Sequence, residues 1–184
     1  MRTEADGPTF EGIAADANLL HTLQRLLDRD PDRVIAVTRR GHELVDSTVK
    51  QIAAQVHAVA KGLVACGVEP GERVMLMSHT RLEWMIADLA IMSAGAVTVP
   101  AYETSSAEQV GWILEDSGAV VAIVENGDMR ALHGSVADRG PACHHVFTIE
   151  PTDGSPGLDQ LAELGAPVDD EEIDRLTKAL GPDD

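Results

Sequence analysis

The chain has 184 residues and a formal net charge of −17, a length that suits one domain and a charge that disfavours nucleic acid as a partner. Hydrophobic residues make up 44% of the chain, which excludes general disorder, and aromatic residues only 3%, so a core must be built from aliphatic side chains. No stretch approaches the roughly 20 apolar residues of a transmembrane segment, and the acidic N-terminus lacks the pattern of a signal peptide. We therefore expect a cytoplasmic protein.

The first half of the chain is predicted to begin with a flexible acidic leader over residues 1–17. Apolar spacing and turn residues then predict a short helix over residues 19–27 and a hairpin whose strands cover 34–37 and 43–45. A long helix over residues 48–65 and a buried strand over 73–78 are predicted to follow. The long helix has the clearest signals, because Thr48 and Gln51 have capping-box spacing and Gly67 follows as a C-terminal stop.

From residue 81 onward, helices and strands alternate regularly. The predicted helices cover residues 81–92, Ser105 or Ser106 to 116, and 129–137, and the predicted strands cover 97–99, 120–124 and 145–149. This alternation indicates parallel crossover units, so we predict an α/β fold with a doubly wound parallel sheet over residues 18–150. Residues 151–184 are predicted to form a linker with short polar helices near 158–164 and 170–180. We expect Trp84 and Trp112 to pack within the helix layer.

Catalytic motifs are sparse in the sequence. Neither a G-x-G-x-x-G nor a G-x-x-x-x-G-K-[S/T] loop follows any predicted strand. The turn Ser78-His79-Thr80-Arg81 lies at the carboxyl end of a strand, where open α/β sheets bind ligands, so it is a candidate binding turn. For His79 itself we favour the interpretation of a satisfied or surface histidine over that of a functional one. A triad of His79, Asp88 and a serine could be drawn, but nothing in the spacing requires it and no G-x-S-x-G elbow is present.

The cysteines predict neither a disulfide framework nor a zinc motif. Cys66 sits near the end of the long helix and suits a small buried apolar position. Cys143-His144-His145 offers metal-ligating side chains, but three adjacent residues on one strand cannot all turn inward, so we disfavour a metal site there. The sequence therefore predicts no catalytic, cofactor-binding or metal-binding residue in this chain.

Several separate segments match a known family in the correct order. The chain resembles the N-terminal portion of AMP-forming acyl-CoA synthetases, in particular the long-chain fatty-acid branch, at Gly67–Val74, Arg81–Trp84, Gly95–Pro100, Tyr102–Gln109 and Glu115–Ala119. The resemblance implies a partial N-terminal subdomain of the adenylate-forming enzyme fold. In that family a fatty acid reacts with ATP to give an acyl-adenylate, and coenzyme A then displaces AMP.

The resemblance also implies which parts of the enzyme lie elsewhere. The family's phosphate loop is expected just after Pro182, and the adenine-binding motifs and the C-terminal domain come later still. ATP, Mg and coenzyme A are thus implied for the complete family enzyme, and none of them for this chain. No catalytic residue is carried over, and the segment Tyr102–Ser106 is at most a neighbour of the active-site cleft.

Three hypotheses follow from the resemblance. The first is the N-terminal piece of a fatty-acid–CoA ligase, inactive alone and dependent on a complementary C-terminal fragment, with apolar helix surface and a strand edge left exposed. The second is a binding or regulatory module that kept the fold and lost the chemistry. The third is a nonfunctional remnant of a split gene. We disfavour an independent enzyme, and the sequence does not indicate an acyl chain length.

Overall fold

The computed structural model describes residues 18–181, and the predicted leader lies outside them. Within this range the helices α1 to α7 cover Leu20–Arg29, Val49–Ala65, Leu82–Ser93, Ala107–Ser117, Gly127–Gly134, Leu158–Leu164 and Asp170–Ala179. The strands β1 to β6 cover Val34–Arg40, Glu43–Thr48, Arg73–Met77, Val97–Ala101, Val121–Val124 and His145–Thr148. Each helix and strand predicted in this range is confirmed, with ends that differ by a few residues. No helix of residues 18–181 is long and apolar enough to cross a membrane.

Capping boxes fix the starts of two helices. At α2 the Gln51 amide nitrogen donates to Thr48 Oγ1 over 3.3 Å, and the Thr48 amide nitrogen donates to Gln51 Oε1 over 2.9 Å. Ser106 and Gln109 exchange the same two hydrogen bonds at α4, over 3.3 and 2.8 Å. Each box satisfies two backbone donors that have no partner inside the helix, so the sequence signal and the observed helix start coincide.

The strands form two separate sheets. β1 and β2 pair antiparallel as the predicted hairpin, with Gly41 at φ +62° in its turn. The other strands form a parallel sheet in the order β4-β3-β5-β6. The chain therefore moves from β3 outward to β4, crosses back over β3, and continues outward through β5 to β6. This reversal of direction confirms the predicted doubly wound topology.

The central strands are buried on both faces. The side chains of Val74–Met77 in β3 and Val121–Val124 in β5 are 0% exposed. Because side chains alternate along a strand, Val74 and Leu76 enter one core with helices α2, α3, α6 and α7, whereas Met75 and Met77 enter another with α4 and α5. Each buried aliphatic side chain of this size contributes about 1.5–3 kcal/mol relative to an exposed one. Two helix layers are thus needed to cover the sheet.

The outer edge of β4 is blunted by a proline. The Val97 amide nitrogen donates to the Glu72 carbonyl oxygen over 2.7 Å, toward β3. Backbone N–H groups point alternately to the two sides of a strand, so the next two residues that face away from β3 are Thr98 and Pro100. Pro100 has no N–H, which leaves the outward edge with one donor fewer.

Two sequence predictions need correction. Helix α5 was expected over residues 129–137 but covers Gly127–Gly134, followed by a single 3-10 turn at Ala137–Arg139. It starts early because Asn126 Oδ1 accepts the Met129 amide, over 3.1 Å, and it ends where the Ser135 hydroxyl donates to the Leu132 carbonyl oxygen over 2.7 Å.

The expectation that Trp112 packs within the helix layer is also wrong, because Trp112 is 59% exposed. Helix α4 turns Val110 and Leu114 toward the sheet, and a residue two positions after Val110 points about 200° away around the helix. Trp84 does pack against the larger core, as expected.

The last two helices pack on α2. Leu161 of α6 and Ile173 of α7 are buried in the same core as α2. Asp170 Oδ1 also accepts hydrogen bonds from Lys61 Nζ over 2.7 Å and His57 Nε2 over 2.9 Å, which lower the pKa of Asp170 to about 2. At Gly62, helices α2 and α6 come so close that an added methyl group would overlap the Leu161 carbonyl oxygen.

We predict that Gly62→Ala lowers the free energy of unfolding by about 1–3 kcal/mol, because the added methyl group forces α6 away from α2. The matched control is Gly134→Ala, also helical, where a methyl group meets nothing within 4 Å. That change should leave stability unchanged or raise it by up to about 1 kcal/mol. Urea unfolding of both variants checks this, and equal effects at the two positions would contradict it.

Candidate functional site

Polar side chains gather where the strand order reverses, at the carboxyl ends of β3 and β5. Ser78 and His79 directly follow β3, Glu125 directly follows β5, and Arg81 lies at the start of α3. Because β3 and β5 are neighbours in the sheet, their carboxyl ends meet at one place. In open α/β sheets this crevice is the usual place for ligand binding, so the cluster of Ser78, His79, Arg81 and Glu125 is the candidate site.

The carboxylate of Glu125 is the centre of the cluster. Its Oε2 accepts the His79 amide over 2.6 Å and lies 2.9 Å from both Ser78 Oγ and His79 Nδ1. Ser78 and Glu125 are buried, whereas the His79 side chain is 62% exposed. A carboxylate only accepts hydrogen bonds, so Nδ1 of His79 carries the shared proton and donates it to Glu125.

These hydrogen bonds shift the pKa values of Glu125 and His79 in opposite directions. Burial would raise the pKa of Glu125, but the hydrogen bonds from the His79 amide, the His79 ring and the Ser78 hydroxyl outweigh burial and lower it. The hydrogen bond that the His79 ring donates to Glu125 raises the pKa of His79, with smaller contributions from the charges of Glu125 and Glu103. The two groups therefore stabilise each other in their charged forms.

Arg81 connects the cluster to its surroundings. Its Nε lies 2.9 Å from Glu83 Oε2, and its Nη1 lies 2.8 Å from Glu150 Oε1 and 3.8 Å from Glu125 Oε1. The hydrogen bond to Glu83 and then the one to Glu150 raise the pKa of Arg81 further above its ordinary value. One guanidinium thus joins the ends of β3, β5 and β6 to the first turn of α3.

This arrangement supports a structural role better than catalysis. The Ser78 hydroxyl is buried against the Glu125 carboxylate and the His79 carbonyl oxygen rather than against the imidazole, so His79 is not placed as its general base. Among the described residues the acidic partner of His79 is Glu125, and no hydrogen bond or ion pair joins His79 to Asp88. The triad drawn from sequence is therefore not assembled.

A groove of about 840 Å³ adjoins the cluster between α2 and the segment after β6. It is lined by Arg81 and by five acidic side chains, those of Glu83, Glu150, Asp153, Asp159 and Glu163. A triphosphate needs convergent amides or several cations, whereas here one guanidinium is already shared among carboxylates. The residues of the cluster and groove therefore do not fit ATP, and we derive no step through a nucleotide here.

The other candidate residues lie apart from this cluster. Cys143 Sγ lies 3.5 Å from His133 Nε2, and burial raises the pKa of the Cys143 thiol to about 11 and lowers that of His133. His144 and His145 are exposed, so the three adjacent residues do not converge. In residues 18–181 no group of three or more His, Cys, Asp or Glu is placed to hold a metal ion.

The segment Tyr102–Ser106 follows β4, next to the end of β3. Tyr102 is 80% exposed and its carbonyl oxygen accepts the Ser105 amide over 3.0 Å, which forms the turn into α4. Because the charge of Glu103 acts on His79, this turn borders the cluster. Glu125 is the residue that sequence reasoning missed as a partner. Its place directly after a buried strand was visible, but the strand order that brings it to His79 was not.

The comparison with known proteins identifies the family. The AMP-binding enzyme family matches residues 23–182. This chain belongs to that family. This chain is 44% identical over 151 residues to the long-chain-fatty-acid–CoA ligase FadD15 of Mycobacterium tuberculosis. The match covers 82% of the chain and 25% of FadD15. This confirms the resemblance to the N-terminal portion of such ligases, and the chain spans about a quarter of the length of that relative.

Two further comparisons bear on this AMP-binding family chain. The uncharacterized protein Rv1549 of M. tuberculosis is 31% identical over 138 residues, covering 75% of the chain and 74% of Rv1549. The crystal structure of a long-chain-fatty-acid-CoA ligase, FadD1 of Archaeoglobus fulgidus, superimposes with a TM-score of 0.75 at 15% identity, over 88% of the chain and 33% of that structure. The latter shows the fold alone and agrees with the sheet described above.

We predict that His79→Gln destabilises the protein most between about pH 4.5 and 6.5. The raised pKa of His79 contributes stability below its ordinary value of 6.5 that is lost as the pH rises through the folded value. The lowered pKa of Glu125 contributes stability above its ordinary value of 4.5 that is lost as the pH falls through the folded value. Both contributions are fully present together only between these limits.

Thermal unfolding at about pH 5.5 and about pH 8.5 measures the effect. The difference in Tm between wild type and His79→Gln should be larger at the lower pH. His144→Gln is the control, since the ring of this exposed histidine makes no hydrogen bond or ion pair in residues 18–181. An equal difference for His79→Gln at both pH values would contradict the interaction with Glu125.

Proposed function

We propose that this chain supplies the first sheet unit of a cytoplasmic fatty-acid–CoA ligase and forms acyl-CoA only together with the remaining parts of such an enzyme. The observation that carries the proposal is the identity of 44% to FadD15 over 82% of the chain, against 25% of FadD15. The residues of the candidate cluster do not fit a nucleotide, which supports the dependence of this chain on the remaining parts of the enzyme. ATP, Mg, coenzyme A and the fatty acid would then bind to the assembled enzyme, and the partner is a complementary C-terminal polypeptide.

In this proposal the polar cluster has a supporting role. Glu125 and Arg81 hold the ends of β3, β5 and β6 in fixed positions. A fixed carboxyl edge would in turn position the Tyr102–Ser106 turn, which the family resemblance places beside the cleft. The cluster would thus support the cleft without touching reacting atoms.

A second candidate function is a non-catalytic binding module. The observation that favours it is Rv1549, of which the match covers 74%, so the same unit makes up most of another curated protein. If the chain is such a module, we expect it to be stable by itself and to restore no acyl-CoA formation to a ligase that lacks the matching segment.

We predict that a chimaera, in which this chain replaces the matched quarter of FadD15, forms palmitoyl-CoA from palmitate, ATP and coenzyme A. The 184-residue chain alone and FadD15 without its matched quarter should both be inactive, because each lacks part of the cleft. Thioester formation by chromatography is the measurement, with intact FadD15 as the positive control.

Two outcomes would contradict the proposal. One is acyl-CoA formation by the isolated chain. The other is a soluble chimaera with the circular dichroism spectrum of a folded ligase but no activity, under conditions in which intact FadD15 is active. The second outcome would favour the binding module.

A further inference from the structure

The outward face of the β1–β2 hairpin carries exposed aliphatic side chains. The register places two of them there, Val37, which is 56% exposed, and Leu44, which is 67% exposed. The inward face carries Ala36, Thr38, Val45 and Ser47, which are all partly buried. The register pairs Ala36 with Ser47 and Thr38 with Val45, which confirms that these four share one face.

Exposed aliphatic side chains on the outward face depart from the pattern of a solvated hairpin. An antiparallel sheet with one face in water places apolar residues inward and polar residues outward. A two-stranded hairpin is also marginally stable by itself and needs packing against another element. Here hydrogen bonds from the Val49 amide to the Arg33 carbonyl oxygen and from the Lys50 amide to the Pro31 carbonyl oxygen, over 3.0 and 2.9 Å, tie its base to α2. They do not cover its outward face.

We propose that the outward face of the hairpin, defined by Val37 and Leu44, is the surface on which the remaining polypeptide of the ligase packs. This inference rests on the proposed function and names the contact through which the partner binds. In FadD15 the match covers 25% of the length, so three quarters of the polypeptide is available to cover this face. The hairpin lies within the family match at residues 23–182, so it belongs to the shared unit.

The composition of the face also suits a packed interface. Across the strands Val37 lies opposite Asp46, and Leu44 lies opposite Arg39. The apolar centre is therefore flanked by one charge of each sign, the usual pattern of an apolar interface core with a polar rim. The exposed edge of β4 is a weaker candidate, since Pro100 removes a donor there.

The double substitution Val37→Lys and Leu44→Glu tests the proposal in two contexts. In the free chain it creates opposite-charge pairs with Asp46 and Arg39 across the hairpin, so the Tm should change by no more than about 2 °C. In the FadD15 chimaera the charges would be buried against the remaining polypeptide. There we expect a fall in Tm of at least about 5 °C and at least a tenfold loss of palmitoyl-CoA formation.

The control variant is Leu164→Glu, which places the same kind of charge on α6 at a leucine that is 52% exposed. It should shift the Tm equally in the free chain and in the chimaera. Equal shifts for the hairpin variant in both contexts would overturn the proposal, and so would a loss for Leu164→Glu in the chimaera as large as that of the hairpin variant.

Hydrogen exchange of the unsubstituted proteins gives a second measurement that does not depend on activity or on a variant folding. Amides of residues 34–47 should exchange at least about tenfold more slowly in the chimaera than in the free chain. Unchanged exchange would overturn the docking surface even if the chimaera is active. Slower exchange in an inactive chimaera would support the docking surface while the proposed function fails.

Self-association of the free chain is the remaining outcome to measure. A dimer in light scattering that is lost in the Val37→Lys and Leu44→Glu variant, together with unchanged exchange of residues 34–47 in the chimaera, would assign the face to a second copy. That result would overturn the proposal.

Discussion

The complete burial of β3 and β5 is the constraint on which the other features depend. Because their side chains are 0% exposed on both faces, helices must cover the sheet from two sides, and crossover connections must carry the chain between those layers. The same two strands lie side by side in the sheet, so the residues that follow them meet. The layered architecture and the cluster of Glu125 with His79 are therefore two results of one arrangement.

Local signals made much of the fold predictable. The capping boxes at Thr48 and Ser106 and the apolar stripe of α2 are encoded within a few consecutive turns, and they appear where they were expected. The contact of His79 with Glu125 spans 46 residues and depends on strand order, which no local pattern contains. The exposure of Trp112 was missed for a related reason, because the face of α4 that meets the sheet is decided by packing.

The candidate cluster illustrates how a polar site can serve structure rather than chemistry. A buried carboxylate is costly unless its oxygens are satisfied, and Glu125 is satisfied by a backbone amide, a hydroxyl and an imidazole. The Glu125 carboxylate thus connects the segments that follow β3 and β5. This agrees with a family unit whose nucleotide chemistry, by resemblance, lies in later segments, and it explains why a crevice at the expected position lacks a phosphate-binding character.

Pro100 has a consequence for biosynthesis. In a relative such as FadD15, where this unit makes up 25% of the length, an N-terminal unit leaves the ribosome while most of the enzyme is still being made, at roughly 5–20 residues per second. A unit that folds in that interval has the outer edge of β4 unpaired, because β4 is the edge strand of the sheet. A strand edge that lacks a donor at Pro100 is a poor template for intermolecular pairing, which disfavours aggregation through this edge.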